Sequence, residues 1–382
     1  MSTRLTQYTY SLAGMPFLPA ITTGSDVTEG NMRIACLSGV VVLMCLAAGA
    51  QTNSYTSTPI VNNTQDSFLV NPWGLSRPMS SSVTENEWWT SDNGTGNSTL
   101  YYANQMGSQS LAGLVITIPS ASGSGRGTPT GTAYNPAKGP GPSPENFTFA
   151  TLDGTISNWN AGQKPSPRGT GCYLCHVSKA TIMVNHSSSG ASYTGLTLAK
   201  NVATNAPTYY AANNKGGVEA YDAASFAPVK LSGNFSDPRI PSASKAYGVQ
   251  ALGSLIAVSF FDGVSGGYVD AFDTNGNLKG RLANGWFSQP WGIAIAPANF
   301  GAFSNMLLVA NTSTGWIAAF SPKTGAFQGF LNDSTGTPIT IPGLWGISFG
   351  DGNPESGPIN TLYYNGGGAS YTTGVFGAIT AN

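Results

Sequence analysis

The sequence predicts an all-β protein, a single six-bladed β-propeller, and three observations lead to that prediction. Turn-forming residues are abundant, with 49 glycines and 24 prolines, while charged residues make up only 9% of the 382-residue chain. A glycine signature recurs six times, at intervals of 44 to 64 residues. Each copy is followed by short runs of alternating apolar and polar residues, the pattern of half-buried strands. Six copies of one β-unit are typical of a propeller.

The repeated unit opens with a glycine, usually preceded by an aromatic residue, at the start of an apolar strand. The copies open at Trp73-Gly74, Gly131, Gly195, Tyr247-Gly248, Trp291-Gly292 and Trp345-Gly346. A second strand ends in an Asp or Asn turn, a residue type that tolerates the positive φ of tight hairpins. A third alternating strand and a more variable fourth strand complete the unit.

The end of the chain predicts how the ring closes. Only one strand fits after Gly366, so the last blade lacks its outer strand, and residues 55–70 are expected to supply it. Joining both ends of the chain in one blade removes exposed strand edges, which otherwise invite aggregation.

The N-terminal region predicts export. Residues 32–50 have a basic start, an apolar stretch and a small-residue end, the layout of a signal peptide cleaved before Gln51. The apolar run falls short of the roughly 20 residues that a membrane span needs, so an anchor is the weaker alternative. We interpret residues 1–31 as a non-native extension and residues 51–382 as one secreted or periplasmic propeller domain, without a stable membrane span and monomeric.

Five motifs carry a resemblance to a known family. They are Asn71-Pro72-Trp73-Gly74-Leu75, Ser91-Asp92-Asn93-Gly94-Thr95-Gly96, Ala150-Thr151-Leu152-Asp153-Gly154-Thr155-Ile156-Ser157, Val269-Asp270-Ala271-Phe272-Asp273-Thr274-Asn275-Gly276-Asn277-Leu278 and Gly301-Ala302-Phe303-Ser304-Asn305. Over about residues 55 to 380 the chain resembles uncharacterised exported bacterial six-bladed propellers of the NHL and lactonase-like type. The resemblance implies the fold, but no activity and no site residues. Some members carry a C-terminal sorting anchor; here we expect release instead.

Composition argues against a nucleic-acid partner. The formal net charge is −1 and no basic run is present, so the chain lacks the cationic surface that neutralises phosphates. With 41% hydrophobic and 11% aromatic residues, the chain can still bury a core.

Both repeated signatures are expected on one mouth of the channel, because successive strands of a blade run antiparallel. Candidate ligand-binding residues there are Trp73, Asp92, Asn93, Asp153, Asn213, Asp262, Trp291, Asn311, Trp345 and Asn365. The oxygen-bearing side chains could hold Ca²⁺ and the tryptophans could stack on sugars. Recurrence once per blade favours the plainer interpretation, in which the former make turns and the latter pack between blades. Trp88 and Trp89 are further candidates for exposed aromatics.

The leading functional hypothesis is a binding or scaffold module for a glycan or another cell-envelope ligand. A hydrolase or lyase with its active site at the channel mouth is an alternative. No nucleophile elbow, metalloprotease motif or other catalytic signature supports a particular reaction.

The segment Cys172-Tyr173-Leu174-Cys175-His176 raises a separate alternative, electron transfer through c-type haem. C-x-x-C-H is the pattern of covalent haem attachment, and His186 could supply the sixth iron ligand. A disulfide between the cysteines, free thiols, or a zinc site with His176 and His186 are the other interpretations. The sequence leaves these open.

Overall fold

The computed structural model confirms a six-bladed β-propeller. Six sheets of three to six strands form the blades, and Thr52–Asn382 is one compact unit. The structure describes residues 51–78, 86–103, 114–136, 146–160, 166–167, 176–264 and 266–382. In this part of the chain, no helix is long and apolar enough to cross a membrane.

An inserted segment that follows the third strand of blade 2 adds strands to both of the first two blades. Strand β1 (Tyr55–Asn62) belongs to blade 6, at the other end of the chain. Blade 1 contains β2 (Pro72–Ser76), β3 (Trp88–Asp92), β4 (Asn97–Tyr101) and β5 (Leu114–Thr117). Blade 2 contains β6 (Pro129–Tyr134), β7 (Asn146–Thr151) and β8 (Thr155–Asn160). The insertion then adds β9 (Ser166–Pro167) and β10 (His176–Lys179) to blade 1, and β11 (Thr181–Asn185) completes blade 2.

The remaining blades follow the repeat closely. Blade 3 contains β12 (Tyr193–Lys200), β13 (Pro207–Asn213) and β14 (Val218–Asp222), and its outer position holds only a bridge between Tyr221 and Pro228. Blade 4 contains β15 (Lys245–Leu252), β16 (Leu255–Phe261), β17 (Tyr268–Asp273) and β18 (Leu278–Arg281). Blade 5 contains β19 (Pro290–Ile295), β20 (Leu307–Asn311), β21 (Trp316–Phe320) and β22 (Phe327–Phe330). Blade 6 contains β23 (Leu344–Phe349), β24 (Leu362–Gly366) and β25 (Val375–Ala381), with β1 outside. Short 3-10 turns cover Ser187–Ser189 and Gly301–Phe303.

The signature glycines lie where neighbouring innermost strands touch around the axis. A Cβ atom built on Gly74 would lie 2.5 Å from the carbonyl oxygen of Thr130 in the next blade. One on Gly346 would lie 2.7 Å from the carbonyl oxygen of Trp73, across the junction that closes the ring. The repeat therefore requires glycine because backbone packs directly on backbone.

The predicted closure of the ring is confirmed. Strand β1 pairs antiparallel with β25 and forms the outer strand of blade 6. It also reaches blade 5, where the hydroxyl of Tyr55 donates to the carbonyl of Phe300 at 3.0 Å and accepts from the N–H of Phe303 at 3.0 Å.

Aromatic side chains fill the spaces between blades. Trp89 stacks on Phe147 with ring centroids 3.8 Å apart, and it lies beside Trp159. Trp88 donates its indole N–H to the carbonyl of Ser356 at 3.0 Å. The expectation that Trp88 and Trp89 are exposed is wrong, because both are fully buried in these inter-blade contacts.

Candidate functional site

One end of the propeller carries both repeated signatures. In each blade the start of the innermost strand lies beside the end of the second strand, as Pro72 pairs with Asp92 in blade 1. The other five blades repeat this arrangement. We call this end the loop face: the turns after β3, β7, β13, β16, β20 and β24, and the segments leading into β2, β6, β12, β15, β19 and β23.

Three of the predicted turn residues fasten the loop face together. Asn213 accepts hydrogen bonds from the N–H groups of Ser192 and Lys215, at 3.1 and 3.0 Å. Asn311 accepts from the N–H of Ser288 at 2.9 Å. Asp153 likewise accepts from the N–H of Thr128 at 2.7 Å. The bonds from Ser192, Ser288 and Thr128 tie a turn to the segment that leads into the innermost strand of the same blade, whereas the bond from Lys215 lies within the turn.

Two further asparagines connect neighbouring blades. Asn93 donates to the carbonyl of Pro129 at 3.1 Å, and Asn365 donates to the carbonyl of Gly74 at 2.9 Å. These bonds give both residues a structural role at blade junctions. Their role in ligand or Ca²⁺ binding stays a prediction.

The remaining two acidic residues occupy opposite environments. Asp92 is fully buried, and the hydroxyls of Thr90 and Thr99 lie 2.9 and 2.8 Å from its carboxyl oxygens. Asp262 is exposed, and it accepts from the N–H of Val264 at 2.9 Å. Of this pair, only Asp262 has a carboxylate at the surface.

The three signature tryptophans meet at the axis. Trp73 and Trp345 stack with ring centroids 3.6 Å apart, and Trp291 packs edge-on at 6.1 and 5.9 Å from them. All three are buried, so their faces cover one another instead of standing open to a sugar. The channel that the innermost strands line encloses a cavity of about 20 Å³, room for one or two water molecules. The packing interpretation of the tryptophans therefore matches their geometry.

A small surface of aromatic and amide side chains covers the three packed tryptophans, which we call the tryptophan plug. Tyr371 is 38% exposed, and its ring lies 5.8 Å from that of Trp345. Tyr247 lies 6.2 Å from Trp345 and accepts a hydrogen bond from the amide of Gln289 at 2.7 Å. The other end of that amide accepts from the hydroxyl of Ser313 at 3.0 Å. We call Tyr247, Gln289, Ser313 and Tyr371 the axial platform.

A second polar group on the loop face lies between blades 2 and 3. His186 follows β11, where its N–H donates to the carbonyl of Gly154 at 2.8 Å. Tyr193 begins β12, and Glu219 and Tyr221 lie two residues apart on β14, on one side of that strand. We call His186, Tyr193, Glu219 and Tyr221 the His186 cluster.

Hydrogen bonds in the cluster converge on one carboxylate. Tyr193 donates to Oε2 of Glu219 at 2.6 Å, and Tyr221 donates to the same atom. Asn213 donates to Oε1 at 2.8 Å. Nδ1 of His186 lies 2.9 Å from the Tyr193 oxygen and 3.3 Å from the Tyr221 oxygen.

Burial and these bonds set the charge of the cluster. Burial raises the pKa of both tyrosines, and the hydrogen bonds to Glu219 raise it further, so both remain phenols. Partial burial opposes ionisation of Glu219, but the hydrogen bonds from Tyr193, Tyr221 and Asn213 outweigh it and lower the pKa of Glu219. The cluster therefore holds a carboxylate, two phenols and an imidazole.

Two residues of this neighbourhood, His186 and Asn213, are among the predicted site residues, for different roles, and the structure brings them together through Glu219. Tyr193, Glu219 and Tyr221 are not among the predicted residues. The Glu-x-Tyr spacing of Glu219 and Tyr221, which places two polar side chains on one side of a strand, is a sequence signal for these two.

The haem motif lies mostly outside the described residues. Cys172 and Cys175 are not described, so haem, disulfide and zinc remain predictions. The described backbone runs through β10 and then β11, both extended, from His176 to His186. Among the described residues, no group of three His, Cys, Asp or Glu side chains could hold a metal.

Comparisons with known proteins identify relatives of unknown activity. No family model matches the chain. The uncharacterized protein R640 of Acanthamoeba polyphaga mimivirus is 26% identical over 222 residues, covering 54% of this chain and 38% of that protein. The uncharacterized protein L690 of the same virus is 28% identical over 114 residues, covering 30% of this chain and 29% of that protein. The chain thus spans well under half the length of these relatives.

Solved structures with detectable similarity are distant. A chain of a nidogen/laminin complex is 11% identical with a TM-score of 0.40, covering 63% of this chain and 72% of that one. A chain of a complex of BBS1N with ARL6DN is 11% identical with a TM-score of 0.42, covering 85% and 79%. The fold assignment here comes from the six sheets themselves.

These comparisons bear on the expected family in part. The six sheets show the six-bladed propeller, whereas a bacterial source, export and membership of the NHL-like family find no support in relatives that are viral proteins. A propeller that presents loops around a closed axis is an architecture suited to a scaffold or binding module.

Proposed function

We propose that this chain is a binding module whose loop face holds a neutral, polar ligand of the glycan class. The observation that carries the proposal is the axial platform, where Tyr371 is 38% exposed above the tryptophan plug. An aromatic ring backed by a rigid core offers a large contact area at little cost in side-chain entropy.

The polar groups around that ring are uncharged. Gln289 and Ser313 form a hydrogen-bonded pair with Tyr247, and both side chains combine donors and acceptors. Amides and hydroxyls of this kind complement sugar hydroxyls, while an aromatic face covers the apolar side of a sugar ring. A few placed polar groups beside an aromatic surface are typical of sites for small molecules.

Binding of the full-length chain to a panel of neutral polysaccharides tests the proposal. Tyr371→Asn removes the ring and tolerates the positive φ of 56° at this position. It should weaken binding about fivefold to tenfold, in line with an aromatic contact of roughly 1 kcal/mol. Tyr371→Phe should bind normally.

The matched control changes an exposed residue on the opposite face. Ile359, which is 50% exposed, lies between β23 and β24. Ile359→Ala should leave binding unchanged. No binding to any polysaccharide of the panel, or equal binding by Tyr371→Asn and the unaltered chain, would overturn the proposal.

Export belongs to the same proposal, because an envelope glycan would be met outside the cytoplasm. It is supported by the signal-peptide pattern of residues 32–50, which lie outside the described residues. Expression in a host with a general secretory pathway should yield an exported chain whose first residue is Gln51. N-terminal sequencing checks this, and a chain retained in the cytoplasm with its N-terminus intact contradicts it.

A further inference from the structure

The hydrogen bonds of the His186 cluster indicate which ring nitrogen of His186 carries a hydrogen. Each phenol carries one hydrogen, and its shortest contact is with the carboxylate atom Oε2 of Glu219, shorter than the 2.9 Å between the two phenol oxygens, so both phenol hydrogens are assigned to Oε2. The Tyr193 oxygen therefore has no hydrogen left for His186, whose Nδ1 lies 2.9 Å away. With both phenol hydrogens directed to the carboxylate, the arrangement that supplies a hydrogen to the His186–Tyr193 contact places it on Nδ1, which donates to Tyr193.

This arrangement of hydrogen bonds determines whether the other ring nitrogen, Nε2, is a donor or an acceptor. A neutral imidazole has one N–H and one lone pair, so a hydrogen on Nδ1 leaves the lone pair on Nε2. The His186 side chain is 42% exposed, and Nε2 makes no hydrogen bond within the described residues. The cluster thus presents an acceptor to solvent, while its own donors are occupied.

We propose that the His186 cluster is a second ligand contact on the loop face, one that accepts hydrogen bonds from hydroxyl or ammonium groups of a sugar and disfavours sugar carboxylates. Glu219 adds a negative charge behind the imidazole, and its side chain is 33% exposed. A carboxylate ligand would meet a lone pair and a like charge. The proposal extends the glycan-binding function by naming the ligand groups at a separate place.

The tautomer of His186 provides a test that needs no ligand. His176→Gln leaves His186 as the only histidine, because the chain has two. In the full-length His176→Gln protein, ¹⁵N NMR of the neutral ring should show the hydrogen on Nδ1. Tyr193→Phe removes the acceptor and should shift the ring toward the Nε2–H form. Finding the Nε2–H form with Tyr193 in place would overturn the proposal.

Ligand preference is tested with one sugar scaffold in three charge states. Methyl glucoside, glucosamine and glucuronate should be titrated while the His186 ring signals are followed. The first two should shift the Nε2 signal, and glucuronate should bind at least tenfold more weakly than glucosamine. Equal binding of glucuronate, or no shift with either donor sugar, would contradict the proposal.

The variant Tyr371→Asn separates this site from the axial platform. It should weaken polysaccharide binding and leave the tautomer of His186 unchanged. A correct tautomer together with no polysaccharide binding would remove the glycan function but retain the acceptor site. An Nε2–H tautomer together with normal polysaccharide binding would do the reverse.

Discussion

The carboxyl oxygen Oδ2 of Asp92 lies 2.8 Å from the hydroxyl oxygen of Thr99, inside blade 1. Thr99 is also 2.9 Å from the hydroxyl of Tyr101, which donates to Asp66 at 3.1 Å. The hydroxyl of Thr90 also lies 2.9 Å from that of Thr99, and because a hydroxyl has one hydrogen, Thr99 can donate to only one of these three neighbours. Burial raises the pKa of Asp92 well above its usual range, which favours the protonated acid, and a protonated acid is able to donate to Thr99.

The stability of Asp92→Asn relative to the wild type should therefore increase as the pH rises. A carboxyl whose pKa is raised in the folded state contributes most below its unfolded pKa of about 3.9, and that contribution declines above it. Asparagine can replace the protonated acid, because its amide can donate to Thr99. Urea midpoints should agree between variant and wild type near pH 4, and the variant should gain increasingly towards pH 8. A difference that is constant with pH would contradict this.

Asp333→Asn is a control with the opposite sign. Hydrogen bonds from the hydroxyl and N–H of Thr335 lower the pKa of Asp333. The contribution of this carboxylate is present above its unfolded pKa and is lost as the pH falls through the folded pKa. This variant should thus be slightly less stable than wild type at neutral pH, and the difference should vanish in acid.

The packing around the glycines predicts that alanine substitutions destabilise the protein to different degrees. A Cβ on Gly131 would collide with the backbone nitrogen of Leu196, and one on Gly195 would lie 3.1 Å from the backbone nitrogen of Val249. A Cβ on Gly280 would meet no atom within 4 Å. Overpacking typically costs about 1–3 kcal/mol and occasionally more, so unfolding should be easiest for Gly131→Ala, then Gly195→Ala, with Gly280→Ala near wild type. Urea denaturation measures the order, and equal losses at Gly131 and Gly280 would exclude the close-packing explanation.

These positions also show why the fold could be predicted from sequence. The contact at Gly131 repeats in every blade, so one local rule appears six times in the chain. The parallel pairing of β10 with β5 has no such signal, because it joins an insertion to a blade that is already complete. For the His186 cluster the sequence offers only the Glu-x-Tyr spacing of Glu219 and Tyr221. Its histidine and carboxylate are 33 residues apart in different blades, and only packing shows that the segment at His186 lies over β14.

A buried network of ion pairs predicts that replacing Arg281 destabilises the protein more than replacing Arg239. Arg281 bonds to Asp270 at 2.9 Å and to Asp237 at 2.8 Å, and both carboxylates are fully buried. Arg281→Met leaves Asp270 without a cation and removes one of the two cations that pair with Asp237, which costs about 3–5 kcal/mol for a broken buried pair. Arg239 also pairs with Asp237, but its side chain is 61% exposed and its charge is screened by water, so Arg239→Met should destabilise the protein much less than Arg281→Met.

The pH dependence separates charge from packing at Arg281. Without the arginine, at least one buried carboxyl should remain protonated, so its folded pKa lies above the unfolded value. Its ionisation then opposes folding increasingly as the pH rises. The deficit of Arg281→Met should consequently be larger at pH 8 than at pH 5. Equal deficits would show that lost packing, and not the unpaired carboxylates, dominates.

The hydroxyl of Tyr55, on β1, links blade 6 to blade 5, and its removal should destabilise the protein. Burial raises the pKa of Tyr55 to about 12, so it stays a phenol, with its oxygen bonded to both Phe300 and Phe303. Tyr55→Phe keeps the ring and leaves that carbonyl and that N–H without this partner, a loss of about 1–3 kcal/mol. Tyr364→Phe is the matched control, since within the described residues its hydroxyl is hydrogen-bonded only to the side chain of Ser57, at 3.0 Å. Thermal unfolding should show the larger decrease for Tyr55→Phe, because β1 is held by contacts on two blades and not by its pairing with β25 alone.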